Sequence, residues 1–134
     1  MDKLKSVVKR LWYVLKSQSL TKLSDAPYTT HIPVLIGIST LSKFEQVLEF
    51  GSGVNSTLAF MNRDIFPSIK RIVSYENDLS WYNKIKEQTY HDERINLNFY
   101  DGKISNSVSA EDIGDFDLVF VDDSGNSKDR ASTI

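Results

Sequence analysis

Short runs of β-branched and aromatic residues alternate with helical segments through most of this 134-residue chain. Four runs are predicted as strands because each is short, apolar and bounded by turn-forming residues. The predicted strands are 46–50, 71–76, 95–100 and 116–121. Helices are predicted at 55–62 and 79–89, whereas the polar segment before the fourth strand has no clear pattern. This alternation is typical of parallel strands with right-handed crossovers, so we predict an α/β fold with a doubly wound, mainly parallel sheet.

The first 43 residues differ from the rest and are predicted to form an N-terminal helical region, with residues 44–134 forming the sheet domain. Residues 2–17 have helical apolar spacing, and residues 31–42 predict a second helix with Thr30 as its cap and Pro33 in its first turn. Lysines on the first helix could lie on an anionic membrane surface. Packing of this helix on its own domain or on a partner is the more ordinary interpretation.

Composition argues against several classes of protein. The chain has no cysteine, which excludes disulfides and thiolate metal sites. Its net charge of -2 argues against a general nucleic-acid binder. No apolar run approaches the ~20 residues of a membrane-spanning helix, and the N-terminus lacks the apolar core of a signal peptide. We therefore expect a cytoplasmic protein.

Two glycines one residue apart follow the first predicted strand. Gly51 and Gly53 lack a Cβ, so the backbone there can turn sharply and approach a ligand closely. The helix that follows would aim free N–H groups at an anionic group, while Glu49 adds a negative charge beside them. A site that offers both signs within a few residues suits a zwitterion carried on a nucleoside better than a bare phosphate.

Every predicted strand ends near an acidic residue, and parallel strands bring their carboxyl ends to the sheet edge where ligands bind. The four acidic residues are Glu49, Glu76, Asp101 and Asp122. Glu76 lies 25 positions after Gly51, a spacing at which a carboxylate accepts both ribose hydroxyl protons. Asp101 is placed to accept a hydrogen bond from an exocyclic amine such as that of adenine. His31 and His91 are interpreted as surface or packing residues.

Three segments resemble the motifs of class I S-adenosylmethionine-dependent methyltransferases, which have a Rossmann-like fold. They are Val-Leu-Glu-Phe-Gly-Ser-Gly-Val-Asn-Ser-Thr at 47–57, Ile-Val-Ser-Tyr-Glu-Asn-Asp-Leu-Ser-Trp-Tyr at 72–82 and Phe-Asp-Leu-Val-Phe-Val-Asp-Asp at 116–123. The resemblance covers roughly residues 44–130 and implies S-adenosyl-L-methionine as cofactor and methyl transfer as activity. The family fold continues with a fifth strand and a terminal hairpin that this sequence lacks. We therefore expect a C-terminally truncated member whose open sheet edge promotes self-association.

The resemblance also implies roles for six residues, from the methionine end of the cofactor through its ribose and adenine to its transferable methyl. Glu49, Gly51 and Gly53 would hold the methionine end. Glu76 would bind the ribose hydroxyls, Asp101 would lie near the adenine, and Asp122 would lie near the transferable methyl. A sulfonium is already an activated methyl donor, so the main catalytic task is to hold a nucleophile in line with the S–CH₃ bond. Asp122 or Asp123 could act as general base. Adjacent strand residues point to opposite faces, so we expect no metal ion shared between these two carboxylates.

Other functions stay open at this point. A nicotinamide-dependent dehydrogenase would use a similar glycine turn, but Ser56 stands where the third glycine of its motif is required. Glu49 would also lie unfavourably close to a pyrophosphate. A phosphate-loop nucleotidase requires a Gly-Lys-Ser/Thr sequence that does not follow the turn. A methyltransferase-like module that binds a partner without catalysis, docking through its basic N-terminal helix, is the third alternative.

Overall fold

The computed structural model describes residues 31–101 and 108–122 of the chain. Within these ranges four strands form one sheet: β1 (Gln46–Phe50), β2 (Arg71–Glu76), β3 (Ile95–Phe99) and β4 (Leu118–Val121). The strand order is β3-β2-β1-β4, and each neighbouring pair is parallel. The prediction of an α/β fold with a mainly parallel sheet is confirmed.

In the same described ranges, four helices accompany these strands: α1 (His31–Leu41), α2 (Ser56–Met61), α3 (Leu79–Thr89) and α4 (Ala110–Ile113). Buried residues of α1 and α2 pack on one face of the sheet, and Ile113 of α4 packs on the other. None of the helices in the described residues is long and apolar enough to cross a membrane. The predicted helix at 2–17, the cap at Thr30 and the role of Asp123 concern residues outside the described ranges.

Local sequence signals account for most element bounds. β1, β2 and α3 match their predicted ranges, and the side chain of Asp78 caps α3 by accepting a hydrogen bond from the Trp81 N–H at 2.8 Å. β4 begins two residues later than predicted, because the side chain of Asp117 binds the backbone at the beginning of β1 and Asp117 is not part of the strand. Its carboxylate accepts hydrogen bonds from the backbone N–H groups of Glu45 and Gln46 at 2.8 and 2.9 Å. Asp117 thereby ties the beginning of β4 to the beginning of β1.

Two apolar clusters pack on opposite faces of the sheet, as expected from the alternation of side chains along each strand. The cluster under α1 and α2 contains Leu35, Ile36, Phe44, Val47, Phe60, Ile65, Phe66, Ile69 and Ile72. The cluster on the α4 face contains Leu48, Phe50, Val73 and Tyr100. Because α1 contributes to the same cluster as β1, this helix packs directly on the sheet. The predicted division of the chain between residues 43 and 44 stays a prediction.

A buried ion pair closes the amino edge of the sheet, where the strands begin. Arg94 and Asp92 form this pair just before β3, and their side chains are only 7% and 12% exposed. The Arg94 guanidinium also donates to the backbone carbonyls of Met61 and Ile69. The hydrogen bonds that the Arg94 side chain donates to the Asp92 carboxylate lower the pKa of Asp92 from its usual value. One side chain thus holds together the end of α2, the segment before β2 and the beginning of β3.

Candidate functional site

The glycine turn after β1 has the tight conformation that its sequence suggests. Gly51 has a φ of 88°, a left-handed value that other residues rarely adopt. Its N–H donates to the Tyr75 carbonyl at 2.8 Å, which extends the β1–β2 pairing into the turn. A Cβ on Gly53 would lie 3.2 Å from the Ser56 hydroxyl, so a side chain there would crowd the first residue of α2. The shape of this turn therefore requires glycine at position 51 and disfavours a side chain at position 53.

The buried carboxylate of Glu49 is connected to the glycine turn by hydrogen bonds. Glu49 is fully buried, and its Oε2 accepts hydrogen bonds from the hydroxyls of Thr57 and Ser74, each at 2.6 Å. The Thr57 hydroxyl in turn accepts a hydrogen bond from the Gly53 N–H at 2.8 Å. The Gly53 backbone is therefore linked through Thr57 to Glu49, a chain we call the Glu49 relay.

Burial also changes the acidity of Glu49. Removal from water raises the pKa of this carboxyl to about 7, although hydrogen bonds from neighbouring hydroxyls oppose the shift. The charge of Glu76 raises the pKa further, by a smaller amount. Oε1 of Glu49 is buried and has no hydrogen-bond partner in the described part of the chain. The site therefore contains a carboxyl group that exchanges its proton near neutral pH.

Glu76, at the end of β2, is held beside the same turn. Its Oε1 accepts hydrogen bonds from the N–H groups of Asn77 and Asp78 at 2.9 and 2.8 Å, and its Oε2 accepts one from the Ser52 hydroxyl at 3.1 Å. Only 5% of this residue is exposed. A carboxylate has about four acceptor positions, so Oε2 keeps the capacity to accept a further hydrogen bond.

A cavity of about 400 Å³ opens at the carboxyl ends of β1 and β4. It is lined by the glycine turn, by the first turns of α1, α2 and α3, and by the residue that follows β4. The lining residues are His31, Gly51, Ser52, Gly53, Val54, Asn55, Ser56, Trp81 and Asp122. β1 is the point where the strand order reverses, since β2 lies on one side of it and β4 on the other. Ligands of doubly wound sheets bind at this switch point, and the cavity volume is typical of ligand pockets.

Trp81 closes one side of the cavity and is bonded to the turn. Its indole Nε1–H donates to the Ser52 carbonyl at 2.5 Å, and the ammonium of Lys84 lies 4.2 Å from its ring centre. The Asp78 cap places Trp81 in the first turn of α3. The indole therefore holds α3 against the glycine turn while its ring contributes to the cavity wall.

His31 and Asp122 bring the two titratable side chains found among the described lining residues. The His31 ring packs on Phe120, with the ring centres 5.0 Å apart, and its Nε2 is buried without a hydrogen-bond partner in the described residues. Burial lowers the pKa of His31, and the charge of Asp122 partly opposes this effect. Backbone N–H of Asp122 donates to the Phe50 carbonyl at 2.7 Å, which fixes the end of β4 against β1.

The six site residues predicted from the sequence lie in three different places relative to the cavity. Gly51, Gly53 and Asp122 line the cavity. Glu49 and Glu76 lie buried beside the turn and contact it through hydroxyl groups, outside the cavity lining. Asp101 is exposed beyond the end of β3, two strands away from the cavity.

Two further lining residues were not assigned to the site from the sequence: Trp81, and His31, which was interpreted as a surface or packing residue. His31 gave no signal, because its place beside Asp122 depends on how α1 packs across the sheet. Trp81 had a local signal, since it lies three residues after a capping aspartate and five after Glu76. No group of three or more potential His, Cys, Asp or Glu metal ligands occurs within residues 31–101 and 108–122.

Comparison with known proteins supports the fold assignment. The chain is similar to the crystal structure of a protein from Staphylococcus aureus that is provisionally assigned as a caffeoyl-CoA O-methyltransferase. The TM-score is 0.56 at 16% sequence identity, over 92% of this chain and 64% of the other. This chain has a Rossmann-like methyltransferase fold. No protein-family description matches the sequence, and no curated protein matches it either.

The length of the match limits what it transfers. This chain spans 64% of the length of the staphylococcal protein. At 16% identity the match concerns the path of the backbone, since few side chains are shared. The chemistry of this chain therefore depends on the residues of its own cavity.

Proposed function

We propose that this protein transfers a methyl group from S-adenosyl-L-methionine to an acceptor bound in the same cavity. The observation that carries the proposal is the cavity at the switch point of the sheet, walled by a glycine turn that two buried carboxylates hold in place. The fold of the staphylococcal methyltransferase-like protein supports the same reaction class.

The residues of the cavity fit this cofactor better than a dinucleotide. No lysine or arginine occurs among the described lining residues, which include the carboxylate of Asp122. A pyrophosphate normally requires N–H donors or cations, whereas a sulfonium and an α-ammonium carry positive charge and are favoured by nearby carboxylates. Gly51 and Gly53 line the cavity, and neither carries a Cβ that would keep a ligand from the backbone. The described site therefore favours the adenosyl amino acid over the nicotinamide alternative.

Each part of the cofactor has a candidate partner in this chain. The backbone of Gly51 and Gly53 would hold the amino-acid end, and Oε2 of Glu76 would accept hydrogen bonds from ribose hydroxyls once Ser52 turns aside. Asp101 would accept from the adenine amine, and Asp122 would lie near the reacting methyl. When bound, the cofactor supplies an activated methyl group. The protein's own task is to orient the acceptor and exclude water from the cavity.

Calorimetric titration with S-adenosylhomocysteine tests the proposal. We expect binding that Glu76→Gln weakens by roughly 30-fold or more, because a neutral amide loses two charge-assisted hydrogen bonds to the ribose. Asp101→Asn removes one exposed hydrogen bond, and we expect a loss of roughly fivefold. Glu45→Gln is the matched control, since Glu45 is an exposed glutamate paired with Lys70 at the opposite edge of the sheet.

The same titration with NAD separates the alternatives. Binding of NAD with no response to S-adenosylhomocysteine would contradict the proposal and favour a dehydrogenase. Lack of binding to either compound would favour a module without catalytic function. Equal binding of S-adenosylhomocysteine to the Glu76→Gln and Glu45→Gln variants would show that Glu76 has no role in the site.

A further inference from the structure

The side of the cavity formed by α1 and β4 has a composition different from the glycine turn. His31 and Asp122 lie on this side, at the carboxyl edge of the sheet. The His31 ring is held by packing on Phe120, two residues before Asp122 in the chain. A half-buried imidazole in an apolar contact keeps a fixed orientation, since rotation would break the packing of its ring. This side of the cavity therefore presents one aromatic base and one carboxylate.

The hydrogen bonding of His31 is incomplete. Its Nε2 is buried and unpartnered within the described residues, and buried polar atoms are nearly always paired in proteins. Asp122 is the one other titratable side chain among the described lining residues. Burial lowers the pKa of His31 and so favours the neutral imidazole, the form that can accept a proton.

We propose that His31 is the general base of the methyl transfer, acting on an acceptor bound in the cavity that it lines. This assignment rests on the proposed function. The His31 imidazole takes the proton that the acceptor loses as its oxygen or nitrogen bonds to the methyl carbon. The electron pair of the broken S–CH₃ bond stays on sulfur, so charge and atoms balance. Asp122 then stabilises the imidazolium by its negative charge.

The first test measures whether His31 faces the reacting sulfur. The pKa values of His31 and His91 are measured by NMR titration of the full chain, in complexes with S-adenosylhomocysteine and with S-adenosylmethionine. The two compounds differ by the positive charge on sulfur, which would lower the pKa of a nearby imidazole by roughly half a unit or more. We expect this decrease for His31. His91 is the internal control, because it is exposed after the end of α3, and its resonances are identified with the variant His91→Asn.

The second test measures whether His31 accepts a proton-bearing group at the position of the methyl. Sinefungin carries an amine in place of the sulfonium methyl. We expect His31→Phe to weaken sinefungin by roughly tenfold relative to S-adenosylhomocysteine, since a hydrogen bond to a charged group is lost. Phenylalanine preserves the ring that packs on Phe120, and His91→Phe is the matched control.

The outcomes separate this assignment from the proposed function. Binding of both compounds with identical His31 titration in the two complexes would overturn the role of His31 and leave the proposed function intact. If neither compound binds, the proposed function fails and the assignment fails with it. The NMR measurement uses the unmodified chain, so it decides the question even if His31→Phe does not fold.

Discussion

Buried polar groups differ in their hydrogen bonding between the amino edge of the sheet, where the strands begin, and the carboxyl edge, where they end. At the amino edge, the Arg94 guanidinium is bonded to Asp92 and to two backbone carbonyls, so its donors are well supplied with acceptors. At the carboxyl edge, Glu49 and His31 each keep one buried polar atom without a partner. These are the two unpartnered buried side-chain atoms in the part of the chain that the structure describes.

This difference separates stability from function. Complete hydrogen bonding at the amino edge stabilises the fold, because unpaired buried charge is costly. At the carboxyl edge, the unpartnered His31 Nε2 belongs to a residue that lines the cavity, and the unpartnered Glu49 Oε1 lies buried beside the cavity. Polar groups that a fold leaves unsatisfied tend to occur at functional sites. The comparison therefore points to the same edge as the strand order does.

The largest effect is expected at the amino edge. Arg94→Met removes the partner of Asp92 and leaves two carbonyls without a donor, so we expect a loss of about 3–5 kcal/mol in the free energy of unfolding. Urea denaturation measures this loss. Lys70→Met is the matched control, since the Lys70–Glu45 pair is exposed, and it should cost less than ~1 kcal/mol. Equal losses for the two variants would remove the stabilising role given to this edge.

The pH dependence of stability sharpens the comparison at Glu49. The folded-state pKa of this carboxyl is about 7 and its ordinary value is 4.5, so between these values the folded state binds more protons than the unfolded state. Stability contributed by this group is therefore highest below pH 4.5 and falls as the pH rises to about 7. At ~1.4 kcal/mol per pH unit the total decrease is roughly 3 kcal/mol.

A neutral variant provides the measurement. Urea unfolding at several pH values should show that Glu49→Gln gains stability relative to the natural chain between pH 5 and pH 7. Asp92, Asp112 and Asp117 do not interfere, because their pKa values are lowered from 3.8 and they titrate below this range. Glu45→Gln serves as the exposed control. Parallel stability curves for the natural chain and Glu49→Gln would show that Glu49 is not buried as an acid.

The smallest effect is expected at Trp81. Trp81→Phe keeps an aromatic ring but removes the hydrogen bond to the Ser52 carbonyl, so we expect a loss of ~1 kcal/mol in stability. Because this bond holds α3 against the glycine turn, affinity for S-adenosylhomocysteine should also fall by roughly fivefold. Tyr90→Phe is the control, since Tyr90 is 83% exposed. An unchanged affinity would show that the bond supports the fold alone.

Local patterns in the sequence predicted the sheet well. β1, β2 and α3 followed from short apolar runs and helical segments, which are patterns that act within a few residues. The predicted beginning of β4 was wrong, because Asp117 accepts hydrogen bonds from residues more than 70 positions away in the chain. α4 was not predicted, since its four residues carry little helical periodicity.

The site was predictable only in part, for the same reason. The sequence indicated the glycine turn and the carboxylates beside it. It could not indicate that Glu49 is fully buried, because the hydroxyls that receive it come from Thr57 and Ser74, on a different helix and strand. The position of His31 depends on the packing of α1 against β4. Contacts of this kind are set by the tertiary fold rather than by neighbouring residues.

The Glu49 relay links a buried residue of the sheet, Ser74, to the backbone of the glycine turn. A substitution at Ser74, which never meets a ligand, would alter the acceptor that Thr57 needs and so shift the peptide plane of Gly53. Substitutions in the interior would therefore change the affinity of the cavity for its ligand while every lining residue stays the same.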